Sequence, residues 1–222
     1  MAQSLLAPLT GPAATPPALW RVALLPQQVL PATRFAVVDL DGERVLRVES
    51  PASYGNLLHI VDASAATASA LSWRWRLERP VAGADLRRRE GDDAALKVCV
   101  MYDLPLAQVP FYDQLLLRLA RSRSAEPLPA ATLCYVWDPA LTAGTVLPNV
   151  YTGRVRWLVL RGQGSAAERW QQESRDLRAD FLRAFGDEAT LPVPVSAILI
   201  GADADNTGGS GLGFVSGLEL RR

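Results

Sequence analysis

The sequence predicts an all-β protein: an antiparallel, jelly-roll-like β-sandwich with two helices set in long connections. Three observations lead there. Leu71, Trp73, Trp75 and Leu77 alternate with Ser72, Arg74, Arg76 and Glu78, and a strand with one buried and one wet face belongs to an antiparallel sheet. About nine runs read as strands and only two as helices, so most neighbouring strands have no helix between them, which argues against a doubly wound parallel sheet. Some connections are long, which favours a jelly roll over a meander.

Residues 1–18 carry prolines 8, 12, 16 and 17 and read as an extended N-terminal arm; residues 19–222 form one sandwich domain. Trp20 to Leu24 is a short edge strand before Pro26. Arg34–Asp39 and Arg44–Glu49 flank Asp41-Gly42, a hairpin signal because the tight turn needs positive φ. Leu57 to Val61 is a strand carrying His59, the single histidine. After the alternating strand comes a charged loop over 80–91, then Gly91-Asp92-Asp93 opens a strand over Ala94–Tyr102.

Phe111–Arg123 reads as a helix, with Phe111, Leu115 and Leu119 at helical spacing and Arg118, Arg121 and Arg123 toward its C-terminal end. The simplest use of that stripe is to cover one end of the sandwich. Prolines 127 and 129 end the segment. Thr132–Trp137 is a strand, 139–153 a long loop, and Arg154–Arg161 a strand. Leu177–Phe185 is a helix stopped by Gly186. After prolines 192 and 194, an apolar strand runs to Asp203, an acidic glycine-rich turn follows, and Gly213–Leu220 is the final strand.

The chain has 222 residues, 49% of them apolar, with 23 cationic and 23 acidic side chains. Balanced charge removes the footprint of a nucleic-acid binder. Lys97 is the only lysine, read here as genome-wide arginine usage rather than as a site. No apolar run approaches the roughly 18–20 residues of a transmembrane helix. The start Met1-Ala-Gln-Ser4 reads as the point from which an export signal has been removed, so a periplasmic or exported location is expected. Cys99 and Cys134 fit either one disulfide or two buried thiols.

A set of ordered motifs carries a family resemblance. Trp73-Arg-Trp75-Arg, Gly91-Asp92-Asp93-Ala, Leu133-Cys-Tyr135-Val-Trp137, Pro148-Asn149-Val-Tyr151-Thr, Trp170, Asp180-Phe-Leu-Arg-Ala-Phe-Gly186 and Asp203-Ala-Asp205-Asn206-Thr207-Gly208 follow one another. Over roughly residues 19–221 the chain resembles the bacterial domain of unknown function 3047. The resemblance implies export by a signal peptide, and no activity, cofactor or catalytic residue. Cys134 stands where that family commonly has asparagine and Cys99 where it commonly has tyrosine, so the cysteines are particular to this chain. The closing strand–turn–strand is also similar to the ending of carbohydrate-binding jelly rolls.

Candidate site residues follow from side-chain type and placement. Asp203 and Asp205 lie two apart at a strand end, so on a strand they face the same way. With Asn206 they make an oxygen-rich set for a structural calcium ion, the one cofactor considered. Phe214 stands where an EF-hand needs glutamate, so this is not an EF-hand. The plainer alternative is that these side chains cap backbone N–H groups in the turn. Of Asp92 and Asp93 only one can face inward, with Arg74 or Arg76 as candidate partner; the plainer alternative is exposure in the loop or a structural ion pair. Trp73 and Trp75 read as core, whereas Trp137 and Tyr151, flanking the long loop with Asn149, read as ligand contacts. His59 lacks the neighbours of a zinc site or a nucleophile elbow.

The leading expectation is a non-catalytic ligand-binding sandwich, with a small molecule or glycan held by Asp93, Trp137, Asn149, Tyr151, Asp203 and Asp205. One alternative is a carbohydrate-active hydrolase or lyase that pairs Asp93 with Asp203. Another is a cell-envelope interaction module that docks an unspecified protein partner through helix 111–123.

Overall fold

The computed structural model describes residues 4–25, 27–62, 68–123, 128–188 and 193–222. Pro26 and Pro127, expected to end elements, and Pro192, expected to precede the apolar strand, lie outside the described residues, as do Met1 to Gln3. The alternation of apolar and polar residues yields β1 (Arg21–Ala23), β2 (Arg34–Leu40), β3 (Glu43–Pro51), β4 (Tyr54–Ile60), β5 (Ala70–Arg79) and β6 (Lys97–Tyr102). Then come α1 (Phe111–Arg123), β7 (Ala131–Trp137), β8 (Val146–Pro148), β9 (Val155–Arg161), β10 (Gln171–Asp176), α2 (Leu177–Phe185), β11 (Val195–Asp203) and β12 (Ser210–Arg221).

Two sheets form a jelly-roll-like sandwich. Seven strands are ordered β1-β4-β11-β6-β7-β9-β8 and five are ordered β10-β5-β12-β3-β2. The β2–β3 hairpin turns at Asp41 and Gly42, both with positive φ (54° and 81°), as the Asp-Gly signal requires. The antiparallel expectation needs one correction: β7 and β9 run parallel. The chain between them makes the short strand β8, which pairs antiparallel with β9 at the sheet edge and so returns β9 in the direction of β7.

Two strands lack a sequence signal. β8 has three residues and ends in Pro148, which suits an edge. β10, Gln-Gln-Glu-Ser-Arg-Asp, has no apolar residue, and is a strand because β5 offers it a ladder from Gln171–Trp75 to Asp176–Ala70. Its inward Glu173 accepts a 2.9 Å hydrogen bond from Trp75 Nε1, and Arg161 Nε donates to the same carboxylate at 2.6 Å. The bond satisfies an indole that the core would otherwise leave unpaired.

The main core lies between the sheets and holds Trp73, Trp75 and Leu77 of β5, Val98 and Val100 of β6, and Tyr135 and Trp137 of β7. Each buried tryptophan removes enough apolar area to contribute about 4–6 kcal/mol before chain entropy is counted. α2 is capped by Asp176, whose side chain accepts from Ala179 N, and it buries Leu177, Phe181, Ala184 and Phe185. Its buried Asp180 accepts from Tyr135 Oη at 2.9 Å and from Arg175 at 2.6 and 2.8 Å.

α1 corrects another expectation. Its apolar stripe faces solvent, and Leu117 is its buried apolar residue. The helix is tied down through its polar side instead: Asp113 pairs with the buried Arg154 at 3.0 Å, and Arg121 Nε donates to Leu128 O at 2.8 Å.

The N-terminal arm contains no strand over residues 4–18 but packs on the sandwich, burying Leu6 and Leu9. Leu5 N donates to Leu220 O at 2.8 Å and Val37 N to Ala14 O at 2.7 Å. His59 Nε2 accepts from Ala7 N at 3.1 Å, and burial pulls the imidazole below its ordinary pKa. The single histidine is thus a neutral acceptor anchoring the arm.

Candidate functional site

A second apolar cluster lies on the outer face of the seven-stranded sheet. Strand register sets its rows. Leu58, Leu199, Cys99, Cys134 and Trp157 stand side by side across β4, β11, β6, β7 and β9. Cys99 and Cys134 are cross-strand partners joined by a disulfide. Leu86, Ala94 and Leu141 come from loops that fold over this face.

The next row reads Asn56, Gly201, Lys97 and Val136 and brings two polar side chains into this face. Gly201 leaves the space its neighbours occupy: a Cβ there would stand 2.1 Å from Asn56 Oδ1 and 2.9 Å from Lys97 Cε. Lys97 is 5% exposed, and its Nζ donates to Asp203 Oδ2 at 2.8 Å. Tyr54 and Trp157 hold their ring centroids 5.3 and 5.7 Å from the ammonium. Burial opposes that charge, but Asp203 and the other neighbouring negative groups hold the lysine above its ordinary pKa. Asp203 Oδ1 accepts from Ala94 N at 2.8 Å; burial pushes this carboxyl up and Lys97 pulls it back.

Asp92 and Asp93 are both buried, which corrects the expectation that one of them faces out. They precede β6, which starts at Lys97, so strand alternation does not govern them. Arg74 and Arg76 are not their partners; they pair with Glu43, Asp41 and Glu78. Asp93 holds the closing turn instead, accepting from Asn206 N at 3.1 Å, Thr207 N at 2.8 Å and Thr207 Oγ1 at 2.6 Å. Asp92 Oδ2 accepts from Asn149 Nδ2 at 2.7 Å, while Oδ1 has no partner among the described residues. Burial, then the charges of Asp203 and Asp93, raises the Asp92 carboxyl to about 6 against the hydrogen bond from Asn149 and the charge of Lys97.

Above this cluster lies an exposed rim. Tyr151 is 58% exposed, yet its hydroxyl is fixed, accepting from Asn206 Nδ2 at 2.9 Å and donating to Arg89 O at 3.3 Å. The Arg89 guanidinium stands 5.3 Å from the ring centroid, within cation–π range. Asn149 Oδ1 accepts from Tyr151 N at 2.9 Å. Half-buried Asp205 has its carboxyl raised by burial, then by Asp203.

Asp93, Asn149, Tyr151, Asp203, Asp205 and Asn206 therefore converge from separate parts of the chain. Trp137 does not join them: it is 2% exposed in the main core, with its ring 5.7 Å from that of Trp75. Of the calcium set of Asp203, Asp205 and Asn206, the first is already engaged by Lys97 and by Ala94 N. β11 ends at Asp203, so Asp205 lies in the turn, and the Lys97 ammonium already occupies the cation position beside Asp203. No group of three or more His, Cys, Asp or Glu among the described residues is arranged to hold a metal ion. Lys97 was missed as a site residue, and its one signal was being the sole lysine, set in an otherwise apolar strand.

Residues 18–219 match the family described as protein of unknown function (DUF3047). The chain belongs to that family. No curated protein matches it. Among solved structures, this DUF3047 chain is similar to a family 12 xyloglucanase from Bacillus licheniformis, at 8% identity over 87% of each chain, TM-score 0.46. It is also similar to an endo-1,4-beta-glucanase, a cellulase, at 12% identity over 100% of each chain, TM-score 0.45. A family 29 carbohydrate-binding module is similar at 9% identity over 98% of this chain and 86% of that one, TM-score 0.37.

Proposed function

We propose that this protein binds an uncharged polyhydroxylated ligand, a glycan, at the Tyr151 rim without turning it over. The observation that carries the reading is a tyrosine ring that is largely exposed while both its hydroxyl and its backbone N–H are fixed. An aromatic face held in place suits the C–H face of a sugar ring, because little side-chain entropy remains to be lost on binding. Asn206, through its side-chain oxygen, and the half-buried Asp205 supply polar groups for hydroxyls, while Asn149 is spent on holding Asp92 and the Tyr151 backbone. The rim residues include one cation, Arg89, and one anion, Asp205, and the chain has no net charge, so no field of one sign selects an ionic ligand.

Turnover is less well supported. Asp93 and Asp203 share one cluster, but both are buried and their oxygens are occupied by hydrogen-bond donors. A hydrolase pair needs carboxyl groups that reach the scissile bond from solvent-filled space. Export is part of the same proposal, since a structural disulfide suits an oxidising compartment.

The test is a glycan-array screen followed by calorimetry on the best saccharides with wild-type protein and Tyr151→Ala. Loss of the ring should weaken binding about tenfold, the size of one well-placed aromatic contact. Absence of any saccharide binding at millimolar concentration overturns the reading, as does unchanged affinity in the variant. Release of reducing ends from a bound saccharide would replace it with the hydrolase.

A further inference from the structure

Helix α1 presents its apolar face outward. Phe111, Tyr112, Leu115, Leu116 and Leu119 are between 47% and 84% exposed. At 100° per residue they cover one continuous arc of roughly 140°. The opposite side carries Leu117 and the anchoring Asp113 and Arg121. A helix that covers the sandwich would place these faces the other way round. Five large apolar side chains on one exposed helix face form the kind of patch that marks an interaction site.

Charge decides the occupant. The helix sequence has three arginines and one aspartate. Asp113 is neutralised on the inner side by Arg154, while Arg118 lies exposed at the border of the apolar arc. An apolar arc with aromatic residues at one end, an exposed arginine at its border and no acidic residue on that face is complementary to an anionic lipid surface. Thirteen residues span about 20 Å, too short to cross a bilayer of about 30 Å but suited to lying in its interface. No helix among the described residues is long and apolar enough to cross a membrane. A second copy would bring a like charge to the same face.

We infer that α1 docks this protein on an anionic lipid surface, with Phe111, Tyr112, Leu115, Leu116 and Leu119 entering the interface. The inference is independent of the glycan reading. It is tested by co-sedimentation of the full chain with vesicles of phosphatidylcholine alone and of phosphatidylcholine with about 30% phosphatidylglycerol.

The wild type should sediment with the anionic vesicles, at least about tenfold more weakly with the neutral ones, and less as salt is raised. Leu115→Glu with Leu119→Glu should abolish sedimentation while leaving the thermal midpoint within a few degrees, because both positions are exposed. Tyr151→Ala should sediment like the wild type. Failure to sediment with anionic vesicles overturns the inference, as does equal binding by the double variant. A concentration-dependent dimer in light scattering, lost in the double variant, would assign the face to a second copy and overturn it equally.

Discussion

Lys97 and Asp203 lie on adjacent strands of the larger sheet, joined by a 2.8 Å charged hydrogen bond, with side chains only 6% and 9% exposed. β6 and β11 run antiparallel with Lys97 opposite Gly201, so the lysine reaches along β11 to a carboxylate two residues further on. Such a pair is weak evidence of net stability, because desolvating both charges offsets most of their attraction. Breaking it is another matter.

Lys97→Met should destabilise the protein by about 3–5 kcal/mol, since Asp203 would be left as a buried charge. Adding Asp203→Asn to Lys97→Met should recover at least half of that loss, because the asparagine side chain carries no charge and keeps an acceptor for Ala94 N. Urea unfolding of the wild type, the two single variants and the double variant measures the coupling. If the losses simply add, the two side chains are not an energetic unit.

Asp92 makes stability depend on pH in a defined direction. Its carboxyl is at about 6 in the folded protein and near 4 in an unfolded chain. Between these values the folded state binds the extra proton, so the contribution of Asp92 to stability falls as pH rises from about 4 to about 6 and is flat above. Two units correspond to about 3 kcal/mol. Asp92→Asn should remove this slope and leave the variant more stable than the wild type at pH 7, with the difference shrinking toward pH 4. Thermal melts across that range would show it; parallel wild-type and variant curves would refute it.

The Cys99–Cys134 bridge closes a 35-residue separation that contains α1. Cys99→Ser with Cys134→Ser should cost about 2–4 kcal/mol, chiefly by freeing the unfolded chain. Reductant should shift the denaturation midpoint of the wild type to that of the variant. Identical midpoints with and without reductant would show that the bridge contributes nothing.

Much of the fold is legible because its causes are local. The alternation of Leu71, Trp73, Trp75 and Leu77 chooses a strand and its inward face before any partner is present, and the structure buries all four. Asp41-Gly42 dictates its turn through backbone sterics alone. The apolar spacing around Phe181 and Phe185 likewise marks α2.

Other features have no local cause. β10 carries no apolar pattern and exists because β5 offers it hydrogen-bonding groups. α1 is recognisable as a helix, but which of its faces meets the protein is settled by Arg154, far along the chain from Asp113. Trp137 and Tyr151 look alike as aromatics beside one loop, yet the first faces the space between the sheets and the second the solvent. Asp93 and Asp203 are recognisable as carboxylates, but their partners are not. Spacing along the chain constrains faces and turns; partners are chosen when strands distant in sequence come into register. So the chain determines locally that a sandwich forms and that Trp73 and Trp75 turn into its core. Whether a given charge becomes a ligand contact, a turn cap or one half of a buried pair depends on what the assembled sheets set against it, because a charge acts over a few ångströms of space rather than along the backbone.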